Sequence, residues 1–240
     1  MNWNNYLLEE KAPKGTYAHL GVLEGMVTAP FNLSELPADT RIVSLGTPAK
    51  KFKIQYSNLS SLRGNNNIEA ISLNDIDEER LAVFATLPNL KCLQISTNQQ
   101  SEIPNLSCLK SLEVLVLANL KKVENTDFVK GLNNLKTLYI YGINNLYDLA
   151  PISGLTSLEE LFIEHGKMSG TGKAVKRIEP LSVLTSLKYL HLSVVFEEKT
   201  PDLGALHNLK KLQRLTLLPR YLKSGQLETL KKELPLIMNL

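Results

Sequence analysis

The stretch Leu155-Thr156-Ser157-Leu158-Glu159-Glu160-Leu161-Phe162-Ile163 carries the reading of the fold. Its second half has the form L-x-x-L-x-[LI], with Leu158, Leu161 and Ile163 at the apolar positions. Its first half returns almost unchanged as Leu184-Thr185-Ser186-Leu187. Working outward, the same spacing occurs at Leu90/Leu93/Ile95, Leu112/Leu115/Leu117, Leu135/Leu138/Ile140, Leu187/Leu190/Leu192 and Leu212/Leu215/Leu217. A weaker copy stands at Ile68/Ile71/Leu73. The copies follow one another at intervals of 22 to 29 residues, a period in the range of stacked repeat units.

The pattern has a direct physical meaning. In a short strand, alternation puts the last two apolar residues of L-x-x-L-x-L on one face and the x residues on the other. A turn and a return segment then bring in further apolar residues, such as Ile103 and Leu106, Val123 and Phe128, and Ile152. One such unit cannot bury its leucines alone, whereas a stack of them forms a continuous core. Each buried Leu or Ile contributes roughly 1.5–3 kcal/mol.

With Pro151 and Pro180 just before the two L-T-S-L phrases, and with the convex half Ile143-Asn144-Asn145-Leu146-Tyr147-Asp148-Leu149-Ala150-Pro151-Ile152-Ser153-Gly154-Leu155, the sequence resembles the leucine-rich-repeat family, in its short internalin-like class. The resemblance runs from about Leu62 to Leu222. It implies an α/β fold: a right-handed, curved leucine-rich-repeat solenoid with a parallel β-sheet on the concave face and irregular or 3-10 returns on the convex face. It also implies a protein-binding habit. The family places an Asn after each strand, yet only Asn98 stands there; Ile76, Leu120, Ile143, Gly166, Val195 and Arg220 occupy the equivalent places. Turn shape is therefore expected to vary along the stack.

Residues 1–60 do not fit the repeat and read as an N-terminal cap or degenerate repeats, with strand-like runs at 41–45 and 51–56; a separate small domain is the alternative. Residues 61–222 form the solenoid of about seven repeats. Residues 223–240 read as a C-terminal cap helix, with Ser224 as N-cap and Leu227, Leu230 and Leu234 at helical spacing, followed by a closing strand at Leu236-Ile237-Met238. The longest interval marks an insertion over 166–174, rich in Gly and Ser, read as a surface excursion or a partner-contacting loop.

Composition excludes several classes. Lys and Arg number 27 against 24 Asp and Glu, a net +3, which gives no concentrated basic character for nucleic acid or an anionic membrane. The Asn2–Glu10 segment lacks an apolar core and no run is long enough to span a bilayer; with two cysteines, Cys92 and Cys108, the expected residence is cytoplasmic. The Gly-rich stretch 166–173 departs from the phosphate-loop spacing and has Ala174 where the hydroxyl belongs. His19, His165, His191 and His207 show no metal-ligand spacing, and the pair Glu164/His191 has no nucleophile beside it. No cofactor, metal or catalytic residue is expected.

What remains is the concave ladder. The strand positions that face away from the core read Val114, Thr137, Glu160, Tyr189, Arg214 in one column, Val116, Tyr139, Phe162, His191, Thr216 in the next, and Ala118, Tyr141, Glu164, Ser193 in the third. These positions are expected to face solvent, and a contiguous apolar and aromatic surface there marks a binding site. The site residues are Val114, Val116, Tyr139, Tyr141, Glu160, Phe162, Glu164, Tyr189, His191 and Arg214. The competing reading is that these side chains only support neighbouring strands, or that the N-terminal or inserted segment folds over them. The function expected is a monomeric, non-enzymatic module binding a protein or peptide on the concave face. The alternative is a structural or adhesive spacer in a larger assembly.

Overall fold

In the computed structural model the described residues are 2–9, 22–46, 55–97, 100–166, 172–222 and 225–238. Among these residues nine strands lie side by side in sequence order in one parallel sheet. They are β1 (Met26–Thr28), β2 (Ile42–Leu45), β3 (Ala70–Leu73), β4 (Cys92–Ser96), β5 (Val114–Ala118), β6 (Thr137–Tyr141), β7 (Glu160–Glu164), β8 (Tyr189–Ser193) and β9 (Arg214–Leu217). Parallel neighbours need a crossover between strands, and here the described parts of the crossovers are short convex returns. The chain is a leucine-rich-repeat solenoid.

The register is the repeat itself. Leu93 pairs with Leu115, Leu115 with Leu138, Leu138 with Leu161, Leu161 with Leu190, and Leu190 with Leu215. The leucines of the L-x-x-L-x-L pattern thus form rows running across the sheet, and they are fully or almost fully buried against the returns, together with Leu106, Val123, Phe128 and Ile152. Ahead of the clear copies, Val43 and Leu45 of β2 continue the same rows beside Ile71 and Leu73, and β1 adds one strand more. The run 41–45 is therefore in the sheet, whereas most of 51–56 falls outside the described residues.

Most returns are single 3-10 turns, including Leu106–Cys108, Asp127–Val129, Ala150–Gly154, Glu179–Val183 and Leu203–Leu206. One return departs from that expectation: between β3 and β4 runs an α-helix, α1 (Glu78–Phe84), capped by Asp77, whose carboxylate accepts the Arg80 amide at 2.8 Å. A capping carboxylate with acidic residues in the first turn favours α geometry in this return, which is no longer than its neighbours. The recurrent Asn and Asp side chains stand at the starts of the returns. Asn32, Asn105, Asn125, Asp148 and Asp202 each accept the amide two residues on, an Asx turn that launches each 3-10 segment.

On the other side of the strands, the turn is closed differently from the family pattern. Ile76, Leu120 and Ile143, where an Asn would stand, are fully buried apolar residues. The turn-making work falls one place earlier, to left-handed residues at Asn119 (φ 59°) and Gly142 (φ 79°), while in the following repeat the left-handed residue is Gly166 (φ 72°), in the Asn place itself. Their amides extend the ladder: Asn119 N–H donates to Tyr141 O and Gly142 N–H to Glu164 O. The three turns stack so closely that a Cβ on Gly166 would lie 2.8 Å from Gly142 Cα.

At the C-terminal end, helix α2 (Gln226–Glu233) buries Leu230, with Leu234 just after it; Ser224 lies outside the described residues. The closing strand at 236–238 does not form. The chain turns at Pro235–Leu236, and a hydrogen bond from Met238 N–H to Gln213 O holds the end while Leu236 and Met238 stay exposed. A strand there would require a second inward-facing apolar row, and these side chains face outward.

Gly166→Ala is expected to destabilise the chain by about 1–3 kcal/mol, since the left-handed backbone and the contact with Gly142 both resist a side chain. Gly154→Ala, with open space around its Cβ, is the control and should change stability little; urea unfolding of the two variants checks this.

Candidate functional site

Strand alternation delivers the three expected columns to the concave face, and the register brings their members together. Val114 pairs with Thr137, Thr137 with Glu160 and Glu160 with Tyr189, while Val116, Tyr139, Phe162 and His191 are successive neighbours in the central column. The aromatic rings of that column stack. Tyr139 and Phe162 have centroids 4.2 Å apart at 19°, and Phe162 and His191 lie 4.1 Å apart at 12°. Flat rings at cross-strand spacing make a continuous apolar strip over β6–β8.

That strip is not open. Val114, Val116 and Glu160 are completely inaccessible, and Tyr139 and Phe162 retain only 5% and 8% of their surface. The expectation that these positions face solvent is corrected here: residues 3–7, with Leu23, lie on the sheet. Trp3, Tyr6, Leu7 and Leu23 form one cluster with Ile42, Ala70, Cys92, Val114, Val116, Tyr139 and Phe162. This second core sits on the face of the sheet opposite the first. The physical reason is that a floor of Val, Tyr and Phe on a parallel sheet is apolar enough to need covering, and a segment carrying Trp, Tyr and Leu supplies the cover. Tyr141, Glu164, Tyr189, His191 and Arg214, toward the C-terminal end, remain partly exposed.

The fastening is polar. Residues 4–9 form a turn closed by Glu9 N–H to Asn5 O, with Asn5 left-handed at φ 53°. Its following amides point down into the floor: Leu7 N–H and Leu8 N–H both donate to Glu160 Oε1, at 3.0 and 2.8 Å, and Thr137 Oγ1 donates to Glu160 Oε2 at 2.6 Å. Burial pushes the Glu160 carboxyl above its ordinary value despite these three donors, with Glu159 adding repulsion. Burial likewise drives the Tyr6 phenol upward, with nearby Cys92 and Glu160 adding to the shift and Gln94 opposing it. At the edge of the strip, Glu164 and His191 approach to 3.6 Å.

A further column escaped the sequence reading, which followed only the inward and outward positions of the strands. The residue immediately after the first position of the repeat alternates in charge along most of the stack, as Arg41, Glu69, Lys91, Glu113, Lys136, Glu159 and Lys188, and Gln213 ends the series. Arg41 pairs with Glu69 at 2.7 Å, Glu113 bridges Lys91 at 2.8 Å and Lys136 at 3.0 Å, and Lys188 pairs with Glu159. Lys136 also donates to Asn4 Oδ1 at 2.8 Å, tying this rail to the covering segment. Reading one more column at the repeat period would have found it. Isolated exposed pairs contribute about 0–1 kcal/mol; a linked alternating row also penalises a slip of one repeat, which would set like charges side by side.

Of the 166–174 insertion, residues 167–171 lie outside the described residues. Its return is anchored by Lys173 N–H to Asn144 O and by the Val175–Phe196 bridge. Among the described residues no group of three His, Cys, Asp or Glu side chains could hold a metal ion, and no helix is long and apolar enough to cross a membrane.

No family model matches the chain, and no curated protein matches it. Among solved structures it is similar to internalin C2 of Listeria monocytogenes, at 18% identity over 78% of this chain and 74% of that one, with a TM-score of 0.49. It is similar also to a leucine-rich-repeat protein of Leptospira interrogans, at 17% identity over 86% of this chain and 62% of that one (TM-score 0.35). A third is TLR13 in its complex with ssRNA13, at 20% identity over 73% of this chain and 28% of that one (TM-score 0.45). These likenesses concern the fold.

The raised Glu160 carboxyl has a definite pH signature. The folded chain holds this proton more tightly than the unfolded chain, so the associated stability is fully present below the ordinary glutamate range and is lost as pH rises through the folded value. Glu69, Glu113 and Glu233 are shifted the other way by their lysine and arginine partners, but they are common to wild type and variant. The melting temperature of wild type minus that of Glu160→Gln should therefore fall as pH is raised from about 4 to 7; thermal melts at each pH check this, and a difference independent of pH would contradict the assignment.

Proposed function

We propose that this chain is a non-enzymatic protein-interaction module that takes a protein or peptide on the concave side of its solenoid. The observation that carries the reading is the continuity of the stacked strip. It runs from the covered floor at Tyr139 and Phe162 to His191, and ends among the partly exposed Tyr141, Glu164, Tyr189 and Arg214. Aromatic anchors with flanking charges of both signs are the composition of protein interfaces. The acidic Glu164 at the exposed end and the small net charge disfavour a polyphosphate backbone as the ligand. Cys92 and Cys108 are unpaired thiols, in keeping with a reducing compartment.

Of the ten floor residues read from the sequence, those left partly exposed are the ones we assign to direct partner contact. Val114, Val116, Tyr139, Glu160 and Phe162 support them from beneath the covering segment. Tyr189→Ala combined with Arg214→Ala is expected to weaken partner capture by roughly tenfold or more while leaving the melting temperature within a few degrees. Affinity capture from source-cell lysate, wild type beside variant, measures it; equal retention of the same protein by both would remove the concave assignment.

The second reading, a structural spacer within a larger assembly, is favoured by one observation: the most apolar part of the concave floor is already covered by the chain itself. It calls for association through the ends of the stack, so light scattering that rises with concentration, with no partner captured, would select it.

A further inference from the structure

The segment that covers the floor is built like a bound peptide. It forms its own turn, and it is fastened to the sheet through side chains: the consecutive amides of Leu7 and Leu8 donate to the Glu160 carboxylate, and Lys136 Nζ donates to Asn4 Oδ1. Three side chains on one face of the turn, Trp3, Tyr6 and Leu7, enter the floor, while Leu8 and Glu9 face outward in part or wholly. The cluster they join lies on the opposite side of the sheet from the main core, which closes around its own leucines without any of them. The fit also carries local costs. Trp3 Nε1 and Asn5 Oδ1 are buried without hydrogen-bond partners among the described residues, and Asn5 holds a left-handed conformation. The leading edge, Asn2–Asn4, borders an open polar cleft of about 370 Å³ above Glu69, Lys91 and Glu113.

From these features we infer that the concave floor is a peptide-binding groove, and that residues 2–9 are its detachable occupant in cis. The groove's ligand chemistry is a short turn with an aromatic residue, a second aromatic three places on and a leucine after it, presenting two successive backbone N–H groups to Glu160. A partner carrying such a turn binds by displacing the chain's own copy. The inference rests on the interaction-module reading but concerns the floor at Glu160 rather than the exposed Tyr189–Arg214 end, so the two fail separately.

Two measurements test it. In the full-length wild-type chain, the amides of Leu7 and Leu8 should exchange with solvent at least ~100-fold faster than those of Thr137 and Glu160, which bond to the carbonyls of Glu113 and Lys136 within the stack. Equal, globally limited exchange would make the segment an integral part of the core and overturn the inference. The second uses the full chain carrying Trp3→Ser, Tyr6→Ser and Leu7→Ser, which contains no tryptophan because Trp3 is the only one. A synthetic peptide of residues 2–9 is titrated with this variant once circular dichroism shows it folded. The peptide's tryptophan emission should shift to the blue and saturate, and adding Glu160→Leu should weaken the binding by tenfold or more. Fast exchange without peptide binding, or binding unaffected by Glu160→Leu, would show an end that frays from an ordinary surface and would overturn the groove. If the variant does not fold, the exchange rates in the wild type decide.

Discussion

A parallel sheet has two faces, and in this chain both are apolar. The repeat leucines fill one side and need nothing beyond their neighbours in the stack. The other side, over β4–β7, carries Cys92, Val114, Val116, Tyr139 and Phe162, which water would have to wet if they were left bare. Much else in the molecule follows from how that second face is covered: the position of Trp3 and Tyr6, the burial of Glu160, and the restriction of open concave surface to the C-terminal end.

The buried carboxylate gives the covered face its specificity. Val, Tyr and Phe side chains accept any apolar cover of suitable shape, whereas Glu160 requires donors at one place. It finds three, two from successive backbone amides and one from Thr137. Leaving such a group unpaired in an apolar setting is costly, so the carboxylate fixes where along the floor the turn sits. Lys136, within the charge rail, holds the leading part of the turn through Asn4. The rail and the floor therefore act together, one setting repeat register and the other setting the position of the cover.

Much of this was legible in the sequence because stacking is a local rule repeated. Leu115, Leu138, Leu161 and Leu190 had to form rows once the period was seen, and the columns read from alternation are the columns observed. The strands at 26–28 and 42–45 were harder, since only Val43 and Leu45 keep the row pattern. Helix α1 follows from the Asp77 cap and the acidic residues behind it, a signal of ordinary helix initiation hidden within a repeat interval. The occupancy of the concave face was legible only as the competing reading, that the N-terminal or inserted segment folds over the ladder, and which residues do so was not. Trp3, Tyr6 and Leu7 lie about 150 residues from Glu160 in sequence, and no period or spacing links them. The hint available was compositional: an apolar ladder in positions that should be wet, beside an otherwise unassigned segment with the chain's single tryptophan.

The central claim, that residues 2–9 lie on the concave floor, is tested most directly by the fluorescence of Trp3. The account places its ring almost entirely out of water, so emission should be blue-shifted and weakly quenched by acrylamide, and both properties should be lost together in Phe162→Ala. Emission at the wavelength of a solvated indole, fully open to acrylamide in the wild-type chain, would contradict it.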